Sequence, residues 1–298
     1  MLCKSPFVRD PSGKVFKASI LSGLKELGQE IALQGVPFPC GQCLPCRINK
    51  RRVWTHRLML ESYCHAASSF VTLTYNDDFV PTDGSLSKRD VQLFLKRLRK
   101  QLGDVKIRYY CAGEYGEKTL RPHYHLIIFG LSPDVATEEI VEKCWPYGFI
   151  TVDPCVFETV QYVAGYVTKK IIRKGDTREK EFALMSRKPG IGYPALGKLA
   201  ELLEQPAFRQ FLQLKGDIPD GLKHGNRFLP FGRYLRDKLR TIFDCNGDID
   251  GFLNEMKCKW FEARTKNLNL AELLMKESEQ RNRQIEARFK IYNNRGKL

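Results

Sequence analysis

Arg121-Pro-His123-Tyr-His125-Leu-Ile-Ile-Phe129 decides the fold. Residues two apart on a β-strand point the same way. His123, His125, Ile127 and Phe129 therefore share one face, and Tyr124, Leu126 and Ile128 the other. Both faces turn apolar along the run, which marks a central strand covered on both sides. Two imidazoles at its start are costly to bury without partners, and one divalent cation partners both. A bare His-x-His is as readily an exposed or hydrogen-bonded pair. Here only five histidines exist, and two of them fall in this run, which favours a metal. Glu114, ending the preceding strand of the same hairpin, is the expected third ligand; Glu117 is nearer in sequence but lies in the turn. Ligand softness favours Mn²⁺ or Zn²⁺ over Mg²⁺ for such a set, whereas cellular availability favours Mg²⁺ or Mn²⁺.

Outward from this strand, Phe70–Tyr75 is β-branched and aromatic and ends at Asn76-Asp77-Asp78. Ser87, with Asp90 three residues on, caps a helix whose Val91, Phe94, Leu95, Leu98 and Leu102 share a face. Strands follow at Val105–Glu114 and His123–Gly130, then a helix at Ala136–Cys144, a strand at Phe149–Val152 and a helix from about Phe157 to Ile172. A further helix is expected before them, from Arg47 to about Ala67. The hairpin forces antiparallel pairing. The order gives an α+β fold: a ferredoxin-like or RRM-like core with a central antiparallel sheet and helices on one face. A Cys-rich N-terminal extension (1–69) precedes this core (70–175), and a largely helical C-terminal region (176–298) follows it.

In the last core helix, Gln161-Tyr162-Val-Ala-Gly-Tyr166-Val-Thr-Lys169-Lys170 sets two phenols four residues apart, on one face. Lys169 joins that face. A half-buried packing pair is the bland alternative. Gly165 costs the helix about 1 kcal/mol relative to Ala, which suits a close approach by sheet or DNA.

The 298 residues are 43% hydrophobic and 28% charged, an ordinary globular balance with no apolar run of transmembrane or signal-peptide length. Lys and Arg total 49 against 34 Asp and Glu, a net charge of +15 that attracts polyanions. Arg47, Lys50, Arg51 and Arg52 in the basic helix, with Lys96, Arg97 and Arg99, are candidate DNA phosphate contacts, as is Lys170. Trp54, Tyr109, Tyr110 and Tyr115 are candidate base-stacking or packing residues. Tyrosines, a histidine pair and this charge fit phosphoryl chemistry on DNA, in which a phenolate attacks a phosphodiester and becomes phosphotyrosine.

Three stretches, Phe70–Tyr75, Arg121–His125 and Tyr162–Lys170, resemble the motifs of HUH endonucleases. Cys3, Cys40–Cys46 with its basic helix, Gly113–Gly116 and Met185–Gly192 look like the replication initiators of gokushovirus-type microviruses. The resemblance covers most of the chain from Cys3 to about Leu235. It implies rolling-circle initiation by a metal-dependent nickase and strand transferase at a viral origin. It implies His123 and His125 as Mg²⁺ or Mn²⁺ ligands and Tyr162 and Tyr166 as nucleophiles, with Lys169 assisting. Single-stranded origin DNA is the implied partner, joined by a host helicase and polymerase, in the cytoplasm of a bacterial host. A relaxase or transposase of the same chemistry, and a non-catalytic nucleic-acid-binding protein, are the alternatives.

Ten cysteines without a secretory signal read as thiols or metal ligands. Cys40, Cys43 and Cys46 have spacings suited to structural Zn²⁺. Cys3 is the first choice for fourth ligand, with Cys64, His56 and His65 behind it; three ordinary thiols or an iron–sulfur cluster are the alternatives. Gly192–Lys198 imitates a Walker A loop, but Leu199 stands where a Mg²⁺-binding Ser or Thr is needed. Unwinding therefore falls to another protein.

Overall fold

The alternation around His125 does build a central strand. In the computed structural model the described residues are 3, 6–10, 12–17, 36–116, 119–166 and 176–245, with 258, 262, 265–266, 273, 276–277 and 279–287 near the end. Glu117, Lys169, Lys170, the far end of the expected tyrosine helix and most of the expected C-terminal helix lie outside them. The chain divides into two compact units, one of Met1–Lys50, Lys215–Asp217 and Asn246–Leu298, the other of Arg51–Leu214 and Ile218–Cys245.

In the first unit, β1 (Phe7–Arg9) pairs antiparallel with β2 (Val15–Lys17) on one side and β3 (Val36–Phe38) on the other. Phe7 stacks on Phe38 across that pairing. Helix α1 (Leu44–Ser62) begins here, and the division falls within it.

The second unit is built on β4 (Ser68–Tyr75), β5 (Arg108–Tyr115), β6 (Pro122–Phe129), β7 (Gly148–Pro154) and β8 (Phe182–Met185). They run in the order β7-β4-β6-β5-β8, every pairing antiparallel, with β6 at the centre. Helix α2 (Lys88–Leu102) starts where the Ser87 side chain accepts the amide of Asp90 at 3.1 Å, as its cap sequence predicts. Its Val91, Phe94, Leu95 and Leu98 pack with α3 (Val135–Cys144) against Val71, Leu73, Tyr124, Leu126 and Ile128. Each fully buried side chain of this size stabilises by roughly 1.5–3 kcal/mol.

The opposite face is not open. Leu58 and Met59 of α1, with Val160, Val163, Ala164 and Tyr166 of α4 (Phe157–Tyr166), cover Phe70, Tyr110, Ala112, Ile127 and Phe129. Helices therefore lie on both faces, not on one as the element order suggested. A strand apolar on both sides needs two covers, and α1 supplies part of the second.

Beyond the sheet lie α5 (Leu196–Leu203), α6 (Pro206–Lys215), the hairpin β9 (Gly221–His224) and β10 (Arg227–Pro230), and α7 (Gly232–Phe243). Leu199, Leu203, Leu222, Phe231, Leu235 and Leu239 form their core with Leu60 of α1. The Walker-like stretch is the Tyr193–Ala195 3₁₀ turn running into α5.

Glu61 of α1 is fully buried. Its carboxylate accepts the Gly192 amide at 2.6 Å and pairs with the Arg108 guanidinium of β5. Arg108 also donates to the Pro189 carbonyl at 2.9 Å, and Arg57 to that of Ile191 at 2.9 Å. The 186–192 loop is thus held to α1 and β5 by charged hydrogen bonds. Glu61→Ala leaves Arg108 and the Gly192 amide without this partner, and is expected to cost about 3–5 kcal/mol, read as a lowered urea midpoint. A change of about 0.5 kcal/mol, as for an exposed residue, would overturn this role.

Candidate active site

Strand register places the site. His125 faces Thr72 on β4 and Ala112 on β5, while His123 faces Thr74 and Glu114. Thr72 stands 3.2 Å from Nδ1 of His125 through its hydroxyl, and Glu114 reaches diagonally to Nε2 at 2.9 Å. His125 and Glu114 are both buried. Both ring nitrogens of His125 are thus engaged, one by a hydroxyl and one by a carboxylate. The next histidine is held differently. Nδ1 of His123 lies 2.7 Å from the Arg121 carbonyl, so an N–H there leaves the lone pair on Nε2.

Two neighbouring features keep these rings in place. A Cβ on Gly116 would sit 3.1 Å from Cε1 of His123, so a side chain there would press on that ring. Arg121 ties the start of β6 to the end of β4, donating to the Tyr75 carbonyl at 2.7 Å and pairing with Asp77.

Helix α4 lays both tyrosines over His125. The Tyr166 ring stacks on the imidazole at 5.3 Å and 7°, and the Tyr162 ring meets it edge-on at 5.2 Å. The two phenol rings lie 4.8 Å apart. The exposures differ sharply: Tyr162 is 46% exposed and Tyr166 6%. Burial raises the pKa of the Tyr166 hydroxyl, and its hydrogen bond with Tyr162 and the nearby Glu114 charge push the same way. Arg51 donates from Nε to the Gln161 carbonyl at 3.1 Å, and its guanidinium is what a Cβ on Gly165 would meet, at 3.6 Å. That is an ordinary van der Waals distance, so the expected close approach at Gly165 is not seen among the described residues.

The donor set suits a hard or borderline divalent ion. Two ligand atoms cis on an octahedral ion at about 2.1 Å lie about 3.0 Å from each other, close to the 2.9 Å between His125 and Glu114. His123 stands further off. Among the described residues, the only group of three or more His, Cys, Asp or Glu with ligand atoms mutually within 4.8 Å is Cys3, Cys40, Cys43 and Cys46, which could hold a metal.

The other candidates are scattered. Arg52 donates to the Phe228 carbonyl. Lys96, Arg97 and Arg99 ride on α2, across the sheet from the tyrosines. Arg97 is occupied there, donating to the Cys144 carbonyl at 2.8 Å. Arg47 and Lys50 belong to the first unit, where Lys50 is exposed. Trp54 packs on Tyr110 with Arg57 over its ring, Tyr109 sits under Arg99, and Tyr115 donates to the Glu179 carbonyl. Their packing role is the one observed. Thr72, Arg121 and the placing of Arg51 were missed in the sequence, because only strand register and helix docking bring them to the histidines.

Residues 68–171 match a family model of replication-associated proteins, the ORF2 family. The chain is 34% identical over 177 residues to the replication-associated protein VP4 of Bdellovibrio phage phiMH2K, covering 53% of this chain and 55% of that one. It is 28% identical over 244 residues to replication-associated protein ORF4 of Chlamydia phage 1, covering 72% and 56%. A third relative, replication-associated protein ORF2 of Spiroplasma virus 4, is 30% identical over 154 residues, covering 45% and 48%. The resemblance to replication proteins of small phages is borne out, although the aligned region spans only about half the length of these relatives. No solved structure matches the chain. No helix among the described residues is long and apolar enough to cross a membrane.

Thr72→Val keeps the strand and removes the hydroxyl behind His125. Manganese affinity, read by titration of the purified chain, is expected to fall about 10–100-fold. Unchanged affinity would separate Thr72 from metal binding.

Proposed function

We propose that this chain, similar over residues 68–171 to phage replication-associated proteins, initiates rolling-circle replication as a site-specific DNA nickase and strand transferase. The observation that carries the reading is the convergence of both tyrosine rings on His125, itself bonded to Glu114. A buried imidazole and carboxylate beside two phenols, in a chain of net charge +15, supports tyrosine chemistry on a polyanion.

His123, His125 and Glu114 are the residues that would hold Mg²⁺ or Mn²⁺. When bound, such an ion supplies Lewis-acid polarisation of the phosphate oxygens. Tyr162, the exposed phenol, is the first nucleophile. Its oxygen loses its proton and attacks phosphorus; the P–O3′ bond breaks, the 3′ oxygen gains a proton, and the 5′ phosphate stays on the tyrosine. The balance is reversible, so a 3′-hydroxyl attacking the phosphotyrosine rejoins a strand and frees the phenol. Tyr166, held against His125, serves the second cleavage, while the first tyrosine still carries an end. Thr72, at Nδ1 of His125, holds that ring in orientation throughout. Arg51, and Lys169 and Lys170 beyond the described residues, supply positive charge to the phosphate.

Single-stranded origin DNA is the substrate. The released 3′-hydroxyl suits extension by a host polymerase, with strand separation by a host helicase, in the bacterial cytoplasm.

Single-stranded oligonucleotides tiling the genome that encodes the chain, incubated with Mn²⁺ and run on denaturing gels, test this. One tile is expected to yield a covalent adduct and a free 3′ end. Tyr162→Phe is expected to reduce first adduct formation by at least about 100-fold. Tyr166→Phe is expected to retain the first adduct and lose the second cleavage. An undiminished adduct in the double variant would end the reading.

A further inference from the structure

Four cysteines that take no part in the tyrosine chemistry meet in the first unit. The Sγ atoms of Cys3, Cys40, Cys43 and Cys46 all lie within 4.8 Å of one another, and none is in a disulfide. Cys40 and Cys46 stand 4.0 Å apart, and Cys3 and Cys43 3.9 Å. Four sulfurs each about 2.3 Å from a tetrahedral zinc are about 3.8 Å apart along every edge. The two measured separations involve different cysteines, so they are opposite edges of such a tetrahedron, and both fit. A [4Fe–4S] cluster puts each cysteine on a different iron and a [2Fe–2S] cluster divides the four between two irons, so either would set some of these sulfurs further apart than the 4.8 Å within which all four lie.

The backbone is arranged for thiolate charge. The Cys40 amide donates to Sγ of Cys3 at 3.2 Å, and the Gln42 and Cys43 amides donate to Sγ of Cys40 at 3.5 Å and 3.4 Å. Gly41, at a φ of 74°, lets the chain fold tightly enough to aim these amides at one sulfur. Cys46 lies in the first turn of α1, where the helix dipole favours negative charge.

Among its described residues the unit has little else to hold it. Its three paired strands are three residues each, and Val8, Pro45 and Leu273 are its only buried aliphatic residues among those described. Elements this small need a metal or disulfides in place of a core.

We infer that Cys3, Cys40, Cys43 and Cys46 form a closed, structural tetrathiolate zinc site on which the order of the first unit depends. With four protein ligands it has no open position for a substrate, and it is independent of the nickase reading. Zinc joins Cys3, near the start of the chain, to the knuckle that leads into α1.

The test measures zinc in the full chain, purified without chelator. One tightly held zinc per chain is expected in the unmodified protein, in Cys258→Ser, and in a His123→Ala, His125→Ala double variant. Its loss is expected in Cys43→Ser and in Cys46→Ser. Cobalt substitution should give the intense near-ultraviolet thiolate-to-metal band of a four-sulfur tetrahedral site. If the cysteine variants fail to fold, alkylation of the unmodified chain decides: zinc should protect these four thiols, and its removal by chelator should expose them and quicken proteolysis before Lys50. Zinc retained in Cys43→Ser, a cobalt complex without the thiolate band, or equal alkylation with and without metal would overturn the inference.

Discussion

The pairing register of β6 with its two neighbours is the constraint on which the remainder rests. A slip of one residue turns every side chain to the opposite face. Here it would drive both imidazoles into the Phe94 and Leu98 side of the sheet, where nothing satisfies them. Tyr124, between the histidines in sequence, points to that apolar side and secures the register from there. Its hydroxyl accepts the Ser87 amide at 2.7 Å and meets the Tyr75 hydroxyl at 3.0 Å, and Tyr75 in turn donates to Asp90 at 2.7 Å. A slipped strand would strand three buried polar groups as well as the histidines. Arg121 fixes the same register from the strand's outer end.

One face of the sheet is therefore apolar scaffold and the other carries the histidines and tyrosines, and the basic residues sort accordingly. Arg97 has a carbonyl partner and lies over the Tyr147 ring, so its charge is spent inside the fold. Lys96, Arg99 and Lys100 are exposed on the scaffold side. They raise the general attraction for polyanions without touching a phosphate at the tyrosines. Beside the tyrosine helix, Arg51 is fixed by the Gln161 carbonyl and Arg227 lies over the Phe157 ring. Net charge thus describes a general attraction for polyanions, whereas the surroundings of the two tyrosines are set by a few placed groups.

Much of this was legible in the chain. The central strand, the Ser87 cap, the α2 face and the shared face of Tyr162 and Tyr166 follow from periods of two and of 3.6. The cysteine spacing, with Cys3 as fourth member, led to the one cluster gathered closely enough for an ion among the described residues. Sidedness was not legible, because nothing local says that α1 and α4 take the histidine face. The four-residue strands β8, β9 and β10 were too short to show a period. Glu61 reads as one more polar helix residue until the 186–192 loop arrives above it. Thr72 reads as a β-former until its hydroxyl is found behind a histidine.

Equal spacing on a helix did not give the tyrosines equal settings, and the reason lies in how α4 meets the sheet. Val160, Val163 and Ala164 anchor the helix on Phe70 and Ile127, so a residue's distance from that anchor line sets its burial. Tyr166 falls over His125 and under the Glu114 charge, where loss of its proton is opposed by burial and by a like charge. Tyr162, one turn earlier, meets the same imidazole with its ring edge and keeps nearly half its surface in solvent. One phenol is therefore presented to solvent and the other stacked away. Two identical side chains one helical turn apart stand in unequal settings, because each falls at a different place over the sheet.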